Sequence, residues 1–408
     1  MHVDTITELL ALPNYKVICV IEVTPESLHL EVVPKEYHPP VCSGCLRIHN
    51  TSVHSRQEVV VEDLRMGKRR VFLHVLKRKS ECLEDNTIRT GYFPELLGRN
   101  TRRFAEYVYR LTSITTNPEA GWFLDMDDER VYRIDRAIPE AFSRERFQPV
   151  SPPSYMSVDE VAWQKWHKYV INVVDIDQRL VIWNHPGRGK ATLDKFYHDV
   201  GPEACTQIRA VASDGARGYL QSTREHTEAF IVLENFQVKM SLSDALETIR
   251  KEELKKARKE EDGELADILH CNKRFILMQN KVSSKKVNLL ETLSRINQRV
   301  FGALLLKDQF LSVYTAPDRL AAGRILKEWI VSALRSSLPP FKELALKFFR
   351  KRHYILNYYR YRISTAISEG INNKIKRRER MAYGYKDVTY FLIKIHQHCG
   401  LLNPRFST

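Results

Sequence analysis

No unbroken apolar run of membrane-spanning length occurs in the 408 residues, and no segment has the order of a secretory leader. The expectation is a soluble protein of the cell interior with no membrane partner. Cysteine is sparse: Cys19, Cys42, Cys45, Cys82, Cys205, Cys271 and Cys399 are odd in number, scattered, and contain a single close pair. That pattern excludes a disulfide framework. Acid is the minority charge, with 50 Asp and Glu against 64 Lys and Arg, for a net charge of +14. Such an excess favours a polyanionic partner, and the lack of a membrane element turns the expectation towards nucleic acid. No internal repeat is visible, and Gly187-Arg-Gly-Lys190 lacks the full spacing of a loop that cradles nucleoside triphosphates.

A chain of this length exceeds one ordinary core, so two or three domains are expected. Residues 1–95 read as a small β-rich module. In it Tyr15–Val23 and Leu28–Val33 alternate as a hairpin does, Cys42-Ser-Gly-Cys45 opens a knuckle, and the alternating run Arg70–Lys77 leads to Cys82. Residues 96–150 turn helical, with Phe104, Val108 and Leu111, then Val131, Ile134 and Ile138, at helical spacing and Asn117-Pro118 breaking the middle. Two short helices about a turn suit a helix-turn-helix reader of DNA. Gln148-Pro-Val-Ser-Pro-Pro-Ser154 marks a boundary.

From 151 to 408 the pattern gives strands at Tyr155–Glu160, Tyr169–Ile176 and Arg179–Trp183, a helix at Thr192–Asp199, a strand at Ile208–Asp214, a helix at Ala216–His226 and a strand at Ala229–Leu233. Three meandering strands followed by alternating helix and strand is the order of a ribonuclease-H-like α/β core. Residues from about 238 to 360 become long, charged and helical, and are expected to form an insertion in that core.

Three acids on three different elements carry the chemistry. Asp159 sits in Tyr155-Met-Ser-Val-Asp159-Glu160, Asp214 ends Ile208-Arg-Ala-Val-Ala-Ser-Asp214, and Glu369 lies in Ser364-Thr-Ala-Ile-Ser-Glu369-Gly-Ile-Asn-Asn-Lys-Ile-Lys376. Magnesium, or manganese in its place, is a hard cation that takes oxygen ligands, and phosphodiester chemistry uses such ions in pairs about 3.5–4 Å apart held by converging carboxylates. Strands one and four, as neighbours, bring Asp159 and Asp214 face to face. On the third element Glu369, Asn372, Asn373 and Lys376 share one helical face, opposite Ile367, Ile371 and Ile375. Lys374, Arg377 and Arg378 extend the positive charge, so Asn372, Asn373, Lys374, Lys376, Arg377 and Arg378 are the candidate DNA contacts. Taken singly, each acid reads as a turn residue or a solvated side chain. Lys347-Phe-Phe-Arg-Lys-Arg352 with Tyr354, Tyr358, Tyr359 and Arg360 suits a nucleic-acid channel, or a helix with a snorkelling basic side. Trp163, Trp166 and His167 read as sheet aromatics or as DNA contacts.

These flanks resemble the transposases of bacterial insertion sequences of the ISL-three family, which join a zinc knuckle, a helix-turn-helix and a DDE core. The similar stretches are Pro40-Val-Cys-Ser-Gly-Cys45 with Val53-His-Ser-Arg56, Val61-Glu-Asp-Leu64, Val158-Asp-Glu-Val-Ala-Trp163 with His167 and Tyr169, Gly187-Arg-Gly-Lys-Ala-Thr-Leu193, Asp214, and Ser368–Lys376 with Ala382-Tyr-Gly-Tyr385. The resemblance implies metal ligation by Asp159, Asp214 and Glu369, a ribonuclease-H-like fold, and double-stranded DNA partners: the terminal inverted repeats of a mobile element and its target. It also implies strand cleavage and transfer by a homo-oligomer on DNA, in the bacterial cytoplasm at the nucleoid. Two departures stand out. Glu234-Asn-Phe-Gln237 occupies the place of an Asp-x-x-His element, and Gln237 cannot do what an imidazole does, so a catalytically impaired DNA-binding descendant is the alternative. Cys42, Cys45 and Cys82 lack the fourth cysteine of a zinc site; His49, His54 or Asp85 completes it, or the site has lost zinc and kept its scaffold.

Overall fold

The computed structural model describes residues 3–12, 14–35, 41–49, 52–93, 95–145, 152–164, 168–233, 235–277, 284–400 and 402. The chain divides into two compact units, residues 1–147 and 148–401, with Leu402 belonging to the first.

In the first unit a short helix, α1 (Val3–Leu10), precedes β1 (Tyr15–Val23) and β2 (Ser27–Pro34), the antiparallel hairpin expected from the alternation. Then come β3 (Val41–Cys42), the long pair β4 (Val53–Met66) and β5 (Arg69–Glu81), β6 (Ile88–Tyr92), and the short β7 (Leu96–Leu97) and β8 (Asn100–Thr101). They form a sheet ordered β1-β2-β5-β4-β8-β7, with β6 pairing both β5 and β3. β2 runs parallel to β5, so Leu28, Leu30 and Val32 stack beside Val71, Leu73 and Val75 over Ile6 and Leu10 of α1. The strand β4 had no counterpart in the sequence reading, because most of its first half is exposed and polar.

The helical segment contains three helices where two were expected: α2 (Arg102–Thr112), α3 (Asn117–Leu124) and α4 (Asp128–Glu145). Asn117-Pro118 starts a helix rather than breaking one. Thr116 and Glu119 form a capping box, and Pro118 occupies the first turn, where its missing N–H removes no bond. Phe104, Val108, Ala120, Leu124, Val131, Ile134 and Ile138 make one small core among the three.

The second unit opens with β9 (Tyr155–Gln164), β10 (Lys168–Asp175) and β11 (Leu180–Pro186), followed by α5 (Lys190–Val200), α6 (Pro202–Cys205), β12 (Ala210–Ser213), α7 (Arg217–His226) and β13 (Phe230–Leu233). The sheet order is β11-β10-β9-β12-β13, antiparallel through the first three and parallel from β9 to β13. Every expected strand is present, and the short α6 is the one addition. The helical segment follows as α8 (Asn235–Lys259), α9 (Gly263–Cys271), α10 (Lys273–Leu277), α11 (Ser284–Ile296), α12 (Gln298–Thr315), α13 (Arg319–Arg335), α14 (Pro339–Leu356) and α15 (Tyr358–Tyr361). Its core is built on Leu242, Leu246, Phe310, Trp329, Phe341 and Phe348. The chain then returns to the sheet with α16 (Ala366–Met381) and α17 (Val388–Cys399).

Alternation along β9 sets the two sides of this sheet. Met156 and Val158 pack with Ile171, Val173, Leu193, Phe196 and Tyr197 on the α5 side. Val161 and Trp163 pack with Val170, Val174, Ile371, Ile375 and Phe391 on the α16 and α17 side. Trp163 is thus a sheet aromatic, stacked on Phe391; Trp166, His167 and Glu234 lie outside the described residues. No helix among the described residues is long and apolar enough to cross a membrane.

Candidate active site and metal centre

β12 lies beside β9 in parallel register, Ser213 opposite Val158, so the next residues of the two strands, Asp214 and Asp159, come near enough for the Asp214 charge to act on Asp159. Asp159 belongs to the odd-numbered side of β9, which faces α16. There its Oδ2 accepts a 2.7 Å hydrogen bond from Asn372 Nδ2, and its Oδ1 accepts one of 2.8 Å from the Glu160 N–H. Burial pushes the Asp159 carboxyl up to about 6; the Glu160 N–H opposes this, the charges of Asp214 and Glu160 add to it, and Lys376 offsets part. Glu160 points the other way, accepting from Tyr219 Oη at 2.7 Å and facing Arg188 at 3.6 Å. It is therefore tied to α7 and not to the Asp159 side.

Asp214 begins the loop after β12. Its Oδ1 accepts from Ala216 N at 2.8 Å, and Gly215 holds φ of +83°, where a side chain would also meet Leu233 and Lys351. Lys351, from α14, donates to the Gly215 carbonyl at 2.6 Å. Burial lowers the pKa of that ammonium, and Lys347 lowers it further.

α16 docks on β9 through polar pairs one helical turn apart. Ser368 and Ser157 share a buried hydrogen bond, and Asn372, 8% exposed, holds Asp159. Asn172 lies opposite Asp159 on β10 and donates to Asn372 Oδ1 at 3.4 Å, while its own Oδ1 is buried without a protein partner. Asn372, expected among the DNA contacts, is thus part of the carboxylate's mounting. Lys374 is exposed, and its ammonium donates to the His398 carbonyl. Asn373, Lys376 and Arg377 are exposed, and Arg378 is half-buried. Glu369 sits exposed in the first turn of α16, one turn before Asn372. Asp159 and Asp214 are brought together; among the described residues the three carboxylates as a set are not drawn within 4.8 Å of one another.

A second site lies in the first unit. Cys42, Cys45, His49 and Cys82 each place one ligand atom within 4.8 Å of the others, with Cys45 Sγ 3.0 Å from His49 Nε2 and 3.7 Å from Cys82 Sγ. Three thiolate donors and one imidazole are the donor set of a closed zinc site. Of the three residues offered as fourth ligand, His49 is the one that lies with the cysteines. His54 is exposed on β4, and Asp85 is bound to Thr87 and Arg89.

In Gly187-Arg-Gly-Lys190 the lysine is engaged within the protein, paired with Asp194 at 2.8 Å and Glu225 at 2.6 Å. Its backbone is closely packed: a Cβ on Gly218 of α7 would lie 2.8 Å from Lys190 N. Sequence reasoning gave no role to Ser157, Ser368 or Asn172, and placed Lys351 only within a run suited to a nucleic-acid channel. An amide in the otherwise apolar Tyr169–Ile176 run was a legible signal for Asn172; nothing in the sequence places Lys351 beside Asp214.

Comparison with known proteins identifies the family. The family model of the ISL3 transposase DDE domain, described as Transposase, matches residues 156–395. The model described as the zinc-finger of transposase IS204/IS1001/IS1096/IS1165 matches residues 38–85. The chain is 28% identical over 376 residues to the transposase for insertion sequence element IS1001 of Bordetella parapertussis, covering 90% of each. It is 26% identical over 252 residues to the transposase for IS1557 of Mycobacterium tuberculosis, covering 57% of this chain and 56% of that one. With well over half of its length matched by the catalytic-domain model and its cysteine module by the other, the chain belongs to the ISL3 family of DDE transposases encoded by insertion sequences.

Proposed function

We propose that this protein binds the terminal inverted repeats of its insertion sequence and carries out metal-dependent strand cleavage and strand transfer with Asp159, Asp214 and Glu369 as metal ligands. The observation that supports the reading is the parallel pairing of β9 with β12, Val158 opposite Ser213, because Asp159 and Asp214 are the next residues of those strands in a sheet ordered β11-β10-β9-β12-β13. Burial, with the Asp214 charge adding to it, raises the Asp159 pKa; a divalent cation would offset that cost, and hard oxygen donors fit magnesium or manganese. Such ions supply an activated oxygen nucleophile and charge relief at the leaving oxygen. The chain's own part is to hold the ligands. Asn372 and the Glu160 N–H fix the Asp159 carboxylate, the Ala216 N–H fixes Asp214, and the Ser157–Ser368 bond sets the height of α16 and so of Glu369. The cysteine module would hold zinc and, with α2–α4, read the element's ends as a homo-oligomer on DNA.

A second reading, a DNA-binding descendant with impaired catalysis, is favoured by Gln237 and by the spread of the three carboxylates. End cleavage and gel shift, run together on the same terminal repeats with magnesium or manganese, separate the two. The first reading expects cleavage by the wild type, and shifts without cleavage for Asp159→Asn, Asp214→Asn and Glu369→Gln. Shifts without cleavage in the wild type itself would select the second.

A further inference from the structure

Some basic residues of the helical segment are paired with acids. Arg250 and Lys273 meet Glu247 at 2.6 and 3.4 Å, and Arg299 meets Glu253 at 2.6 Å. α14 carries three cations that are not. It buries Phe341, Leu344, Ala345 and Phe348. Its outer stripe carries Lys347, Arg350 and Lys351, with no ion pair to any of the three among the described residues. With Glu343 and Leu346 they line an open depression of about 350 Å³. Lys347 and Lys351 stand one turn apart, a like-charge spacing that disfavours a helix unless an anion lies across it. The stripe also has a direction, since the Lys351 ammonium rests 2.6 Å from the carbonyl of the residue that follows Asp214.

The geometry points to α14 as the seat of a DNA backbone entering the carboxylate site, with Lys351 beside the phosphate nearest Asp214 and Lys347 and Arg350 on phosphates farther out. The inference rests on the proposed cutting site for the direction of the strand, and on charge complementarity for the binding. Cations left unpaired on a protein surface gain most from phosphate by releasing its counterions, so the contact has a salt signature.

The test is the affinity of the full-length protein for a labelled duplex of arbitrary sequence, titrated against salt with chelator present so that no cutting occurs. Lys347→Ala and Arg350→Ala should each reduce the slope of log affinity against log salt by about one, with the melting temperature unchanged. Lys351→Met should do the same to the slope; a lower melting temperature with an unchanged slope would make Lys351 a tether of α14 only. A control, Lys255→Ala with Lys256→Ala on the exposed face of α8, should leave the slope as in the wild type. Unchanged slopes for Lys347→Ala and Arg350→Ala, or an equal fall in the control, would overturn the inference. Because no cleavage is read, slopes that fall as expected in a protein that never cuts DNA would retain this seat while removing the proposed chemistry.

Discussion

At the scale of single residues, Asp159 bears the clearest mark of its surroundings. Its pKa is raised from 3.8 to about 6, so the folded, metal-free protein disfavours its ionised form. The sign follows from linkage: ionisation costs nothing below about pH 4, where both states are protonated, and the full penalty is reached above about pH 6. Asp159→Asn keeps the acceptor for Asn372 and removes the charge. The expected result is a gain of about 1–3 kcal/mol in metal-free unfolding stability at pH 7–8, discounted for partial exposure and shrinking towards zero near pH 4. Denaturant titrations at the two pH values check it, and equal gains at both would place the effect elsewhere. Asn372→Ala acts oppositely, leaving Asp159 without its side-chain donor and Asn172 without its acceptor, at a cost of about 1–3 kcal/mol. Chemical denaturation should show that loss, and a neutral outcome would mean that the amide ladder carries no weight.

At the scale of elements, α17 and the cysteine module each make a claim. Burial lowers His396 from 6.5 to about 4, and His398 to about 2 with Arg378, Lys394 and Lys374 adding to the effect. Both rings are neutral in the folded state, so their stability is fully present above about pH 6.5 and is lost as pH falls towards the folded values. For His396 alone the loss approaches roughly 3 kcal/mol. Acid titration of the unfolding midpoint should show this limb, and His396→Gln should make it shallower, leaving the part due to His398. In the cysteine module, atomic absorption should find one zinc per chain, with His49→Ala and Cys82→Ser reducing the content severalfold and lowering the melting temperature; His54→Ala should leave both unchanged. The elements differed in how plainly the sequence announced them. β9 to β13 were legible because apolar alternation and short turns report buried strands directly. β4 was not, as its exposed and mostly polar first half carries no such period, and α3 was masked by reading Pro118 as a stop when a capping threonine had made it a start.

At the scale of the whole molecule, the chain combines a strand-rich unit holding a Cys/His centre with a unit in which a long helical segment separates β13 from the helix of Glu369. The sequence motifs identified the acids but not their mounting. The contacts of Asp159 with Asn372 and of Gly215 with Lys351 join residues 213 and 136 positions apart, and only the folded sheet reveals them. Oligomerisation on DNA belongs to this scale too: light scattering with and without a terminal-repeat duplex should show a larger multiple of the 47.7 kDa chain on the DNA, and one chain per duplex throughout would contradict it. The central claim is that side chains from β9, the loop after β12 and α16 gather around shared divalent ions. Manganese titration followed by electron paramagnetic resonance tests it most directly. Saturable binding by the wild type, lost in Asp159→Asn and Asp214→Asn and weakened in Glu369→Gln, is the predicted result; manganese binding that is the same in all four proteins would contradict it.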